Sequence, residues 1–206
     1  MPMELRDAID QISAIKTHLA AAERLRGLRA VPVAFSGLLA LLAAAAQSLW
    51  VGDPLAAPHS YLVLWVGAAA ISALAAGIEL TARIRRSPSR LSVENALLAL
   101  RQFAPALFVG AAVTAAVVVQ LPEQLWILPG LWQLVFALGV LAAHRLLPGP
   151  VFAIGCLYLV TGSTCLGLGS AALSPLAMGM PFAVGQLSLA GILWWHQERP
   201  VRGGLR

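Results

Sequence analysis

Six stretches, each about as long as a bilayer is thick, constrain this chain more than any other feature. They cover roughly 30–51, 61–82, 103–121, 125–146, 151–172 and 176–196, and none has a lysine or arginine near its centre. A hydrocarbon core of about 30 Å takes about 20 apolar helical residues rising about 1.5 Å each. The breaks between stretches hold residues that helices reject or that caps prefer. These are Gly52-Asp53-Pro54, Ser87-Pro88-Ser89, Leu121-Pro122-Glu123, Leu147-Pro148-Gly149-Pro150 and Ser174-Pro175. Barrel strands do not fit, because the stretches are rich in Ala and Leu, too long, and without alternation of period two.

Composition excludes the soluble and disordered classes. Apolar types make up 59% and charged types 11% of 206 residues, too little charge to cover a soluble fold and too much apolar surface for disorder. Two cysteines make no disulfide framework. The expected fold class is therefore an all-α integral membrane protein, a compact bundle of six transmembrane helices.

Charge placement predicts orientation. Arg6, Lys16, Arg24, Arg26 and Arg29 precede the first stretch. Arg83, Arg85, Arg86, Arg90 and Arg101 lie between the second and third, Arg145 follows the fourth, and Arg199, Arg202 and Arg206 end the chain. These are all fourteen cations, and the loops at 52–60, 120–124 and 173–175 have none. The positive-inside rule then puts both termini in the cytoplasm of a cell-membrane protein. Trp50, Tyr61, Trp65 and Trp126 near outer helix ends, with Trp194-Trp195 near an inner end, read as an interfacial aromatic belt. The first run starts behind an acidic-containing arm and reads as an uncleaved anchor. Topology accounts for the cations, so no nucleic-acid partner is expected.

The division expected is an arm over 1–29, a transmembrane domain over 30–196 and a basic tail over 197–206. Within the arm, Leu5, Ile9, Ile12, Ile15 and Leu19 recur at helical spacing, predicting an amphipathic cytoplasmic helix over 4–26. It lies on the inner leaflet or under the bundle, or docks a membrane-protein partner or a second copy. Arg83, Arg85, Arg86 and Arg90 are candidate contacts for anionic lipid headgroups, worth about 1 kcal/mol per charge near the surface. They also fix topology whatever else they do. Residues 91–102 suggest a short interfacial helix leading into the third stretch.

A weak repeat runs through the stretches. Odd ones open with Pro32/Gly37, Pro105/Gly110 and Pro150/Gly155, while the fourth and sixth end Gly139 to His144 and Gly191 to His196. Three parallel helical hairpins would produce this pattern, although proline in a first turn and glycine in membrane helices are common by themselves.

No metalloprotease, nucleophile-elbow, paired-cysteine or phosphate-loop motif is present, and no cofactor is expected. Cys156 and Cys165 stand about 180° apart around one helix and read, like Met178 and Met180, as packing residues. Glu79, His144 and His196 fall at the cytoplasmic ends of even-numbered stretches, making them a candidate proton or metal cluster if those ends converge. The alternative is interfacial side chains reaching water or pairing with neighbouring arginines. Gln133 and Gln186, with Gln47 the main polar groups inside the stretches, read as interhelical hydrogen-bond partners or as the lining of a polar path. Two function classes survive. The first is a non-catalytic structural or accessory membrane subunit contacting lipids, a membrane-protein partner or further copies of itself. The second is a small transporter or channel for a neutral or weakly polar solute.

Overall fold

The computed structural model describes residues 29–86 and 90–198. Among them there is no strand. Helix α1 spans Ala30–Ala46 and continues as a π turn over Gln47–Val51. Helix α2 spans Pro58–Arg86 and α3 spans Arg90–Gln120. A 3₁₀ segment, Pro122–Ile127, leads into α4, Leu128–Ala143. Helix α5 covers Val151–Gly167, followed by a 3₁₀ segment over Gly169–Leu173, and α6 covers Pro175–Leu193. The amphipathic stripe of the arm and the basic tail from Arg199 onward lie outside the described residues.

Five helical segments are long and apolar enough to cross a membrane: Ala30–Val51, Pro58–Ala82, Ala96–Gln120, Pro122–Leu146 and Pro175–His196, with mean hydropathy of 1.6–2.0. The chain is thus an all-helical protein with the make-up of a membrane protein. Val151–Gly167 is a shorter apolar helix. It stops where Gly169 takes φ +59, a backbone geometry that side chains with a Cβ rarely adopt. Gly52 (φ +64) turns the chain after α1 in the same way. Asp53 then holds the turn, its Oδ1 accepting the Leu55 N–H at 2.9 Å. Residues 91–102 are not a separate surface helix but the first turns of α3, which runs unbroken through Pro105.

The most extensive contacts join α1 to α6, α4 to α5 and α3 to α4. Sequential hairpins would instead have made α1–α2 and α5–α6 dominant. Small residues explain the observed choice, because lipid gives no hydrophobic drive for helices to associate and close backbone approach must supply it. A Cβ on Gly179 would lie 2.5 Å from the Ala44 Cβ, fixing the α1–α6 crossing. One on Gly130 would lie 2.8 Å from the Gly162 carbonyl oxygen, fixing α4–α5. Helices α2 and α3 flank this centre, with 11% of their span residues buried against 39–44% in the other three long spans.

The core has two main parts. Near the start of α5, Ala137, Val140, Val151, Ile154, Tyr158 and Leu193 pack together. Phe136 forms the hub of an edge-to-face aromatic set there, with Phe103, Tyr158 and Phe182 at centroid distances of 4.9–5.4 Å. At the other end Ala43, Ala44, Tyr61, Trp65, Leu173 and Met178 cluster. This second end also holds the turns at 52–57 and 168–174, which carry no lysine or arginine.

Two aromatics expected in an interfacial belt belong to this core. Tyr61 is 1% and Trp65 5% exposed, while Trp50, Trp194 and Trp195 are open to the surroundings. The four-residue spacing puts Tyr61 and Trp65 on one face of α2. That face meets α1 and the 3₁₀ segment Gly169–Leu173, where Trp65 finds a partner for its indole N–H.

Candidate functional site

Polar side chains inside the bundle gather at the cation-free end. Gln47 closes the last turn of α1 and is 1% exposed. Its Nε2 donates to the Leu173 carbonyl at 2.6 Å, and its Oε1 accepts the Trp65 indole N–H at 2.7 Å. One amide thereby ties α1 to α2 and to the segment between α5 and α6. A polar group with no water nearby must be satisfied internally, and Gln47 achieves this at both atoms.

Gln133 lies on α4, fully buried, over Gly162 of α5, where the missing Cβ makes room for it. Its Nε2 donates to the Ala177 carbonyl at 3.1 Å and approaches the Cys165 Sγ at 3.3 Å and the Met178 Sδ at 3.9 Å. Its Oε1 has no protein partner. The Tyr61 hydroxyl lacks one as well, although its ring stacks on Trp132, with centroids 6.4 Å apart and planes 6° from parallel. Trp132 in turn donates its indole N–H to Thr114 Oγ1 of α3 at 2.7 Å.

Gln186, on α6, is buried farther from this end. It stands beside the Tyr158 hydroxyl without meeting hydrogen-bond geometry, and that hydroxyl packs on the bare backbone of Gly185. Gln133 and Gln186 are therefore both interior, Gln133 on α4 hydrogen-bonded to the Ala177 carbonyl of α6 and Gln186 on α6 beside Tyr158 of α5. Above Gln47 a cavity of about 400 Å³ opens at the cation-free end, lined by Gln47, Asp53, Ser170, Leu173 and Ser174 among others.

The ionisable candidates lie elsewhere and separately. Glu79 Oε1 stands 3.6 Å from Arg29 Nε, tying α2 to the residue before α1. His144 turns its Nδ1 onto the Leu141 carbonyl of its own helix and its ring edge onto Phe152, with centroids 5.5 Å apart. His196, exposed, places Nδ1 2.9 Å from the Ile192 carbonyl. Among the described residues no three His, Cys, Asp or Glu side chains gather as a metal site would require. Of the arginine cluster, Arg85 is exposed, and the side chains of Arg83, Arg86 and Arg90 lie outside the described residues. Cys156 and Cys165 are free thiols.

Sequence reasoning did not find the pairing of Gln47 with Trp65 or the burial of Tyr61 beside Met178. The available signal was a polar side chain in the last turn of a span opposite an i, i+4 aromatic pair. No protein-family model, no curated protein and no solved structure matches the chain.

Proposed function

We propose that the protein is a non-catalytic structural or accessory subunit of a cell membrane, with six spans and both termini in the cytoplasm. The sixth crossing is α5 together with Gly169–Leu173. At about 1.5 Å per residue the 17 residues of α5 reach about 26 Å, and the 3₁₀ turn after Gly169 closes the outer end of the crossing. All fourteen cations then face the cytoplasm. On this reading the arm over 1–29 forms an amphipathic helix at the inner face, 30–196 is the transmembrane domain, and 197–206 is a basic tail. Arg83, Arg85, Arg86 and Arg90 meet anionic headgroups.

The observation that carries the reading is the uneven burial of the helices. A tightly crossed centre is flanked by α2 and α3, of whose span residues only 11% are buried. Leu74 and Ile78 on α2, and Leu107 and Phe108 on α3, present broad apolar faces that suit lipid and a partner's helices alike. The ionisable groups near the membrane are engaged with neighbouring residues rather than with one another, which favours a supporting role over proton or metal chemistry. Photo-crosslinking from Leu74 and Leu107 in native membranes tests this. The reading expects one defined membrane-protein partner, or a second copy, joined at stoichiometric yield. Adducts with lipid alone from both positions would contradict it.

A second reading, a small transporter or channel for a neutral or weakly polar solute, is favoured by the cavity above Gln47 and by the polar side chains beneath it. Reconstituted vesicles that pass small neutral solutes faster than protein-free vesicles, and lose that flux with Gln47→Leu, would favour this reading over the first.

A further inference from the structure

The Tyr61 hydroxyl and Gln133 Oε1 are both buried without a protein partner, a costly arrangement in an interior surrounded by lipid. They also share a neighbourhood. The Tyr61 ring runs parallel to that of Trp132, the residue preceding Gln133, with centroids 6.4 Å apart. Tyr61 packs in one cluster with Met178, whose sulfur is 3.9 Å from Gln133 Nε2. It is within electrostatic reach of Cys165, whose sulfur is 3.3 Å from the same nitrogen. The Gln133 amide is not free to turn over, because its Nε2 donates to the Ala177 carbonyl and a reversed amide would set oxygen against oxygen.

We propose that Tyr61 and Gln133, on the inner side of the Gln47–Leu173 hydrogen bond, form a hydrated pocket that binds water. Gln133 Oε1 can only accept, whereas a tyrosine hydroxyl donates or accepts. A water donating to one and bonded to the other satisfies both, as ordered waters do for buried polar groups in general. Gln47 and Leu173 line the cavity and are hydrogen-bonded to each other. Leu173 also packs in the cluster of Tyr61, Trp65 and Met178, so one residue touches both the cavity and the surroundings of Tyr61. The pocket stands whether the protein serves as an accessory subunit or passes a solute.

Hydroxyl radicals generated from water by an X-ray pulse mark side chains beside bound water, including buried ones. With the full chain in lipid nanodiscs, Tyr61 and Met178, buried as they are, should label several-fold faster than fully buried Leu128 and Leu193 once each rate is divided by the intrinsic reactivity of its residue type. Gln133→Leu should slow both several-fold and leave exposed Met180 unchanged. Normalised labelling of Tyr61 and Met178 no faster than that of Leu128 and Leu193 would overturn the proposal. Tyr61→Phe supplies a second test that does not depend on Gln133→Leu folding. Removing a hydroxyl bonded to water leaves that water short of a partner and lowers Tm, whereas removing a dry, unpartnered hydroxyl raises it. A lowered Tm is expected, and a raised one would overturn the pocket.

Discussion

Gly130→Ala tests whether close backbone approach holds this bundle together. The new Cβ would lie 2.7 Å from Leu166 Cγ and 2.8 Å from the Gly162 carbonyl oxygen. Leu166 can swing aside. The carbonyl cannot, because it belongs to the backbone of α5. Ordinary contact begins near 3.4 Å, so α4 and α5 must part by about half an ångström at their crossing. A gap of that size forfeits about a quarter or more of each dispersion contact nearby, and overpacking of this kind costs about 1–3 kcal/mol. The better helix propensity of alanine offsets about 0.5–1 kcal/mol of that, leaving a net loss of up to about 2 kcal/mol, and the full cost of about 1–3 kcal/mol relative to glycines in open space. Gly162→Ala, whose Cβ would lie 2.9 Å from the Gly130 carbonyl oxygen, should cost the same. The double variant should cost less than the two together, because helices already parted for one methyl accommodate the other. Gly67→Ala and Gly77→Ala, with nothing within 4 Å, are the controls and should be neutral or slightly stabilising. Thermal unfolding in nanodiscs, followed by tryptophan emission, reads all five. If Gly130→Ala is as stable as Gly77→Ala, close helix approach is not what holds α4 on α5.

Other outcomes follow from the same contacts. Gln47→Leu leaves the Trp65 indole and the Leu173 carbonyl without partners; at about 0.6–1.7 kcal/mol per membrane hydrogen bond it should cost about 1–3 kcal/mol, and Trp65→Phe should add little in that background. Gly169→Ala has open space around it but a φ of +59, so it should cost about 1–2 kcal/mol from backbone strain alone, measured by the same unfolding assay. Glu79→Gln removes a pair at 3.6 Å whose arginine is 60% exposed; solvent screening limits the loss to less than about 1 kcal/mol, and added salt should erase the difference. Zn²⁺ should shift Tm equally for the parent and for His144→Ala/His196→Ala, since the two imidazoles engage their own helices.

Much of the helix layout was legible because proline and glycine punctuate it. The first and last runs, expected over 30–51 and 176–196, match segments Ala30–Val51 and Pro175–His196. Length was less legible. Residues 91–102 join α3 because Arg90 to Gln120 continues without a break and Pro105 is accommodated inside the helix. The stretch at 151–172 loses its last turns to 3₁₀ geometry around Gly169. Partner choice among helices was not legible at all. It depends on which glycine faces which backbone, and Gly130, Gly162 and Gly179 look no different in sequence from Gly67 and Gly77, which face open space. The interior glutamines were recognisable as polar residues in apolar runs, but their partners are set by tertiary register. The shared end position of Glu79, His144 and His196 suggests a cluster, whereas the contacts seen for each are with other neighbours: Arg29, the Leu141 carbonyl and the Ile192 carbonyl.

The central claim, six crossings with the cation-bearing segments on one side, turns on α5, the one apolar helix among the described residues that falls short of the five long spans. If α5 and Gly169–Leu173 cross the bilayer, the two chain ends lie on the same side; if they do not, five crossings put them on opposite sides. Reporters of sidedness fused before Met1 and after Arg206 in the full chain decide this directly, with a single cysteine at Asp53 marking the opposite face in a background lacking Cys156 and Cys165. Both reporters in the cytoplasm, with Asp53 labelled from outside, is the expected result. A cytoplasmic N-terminus with an external C-terminus would contradict the account.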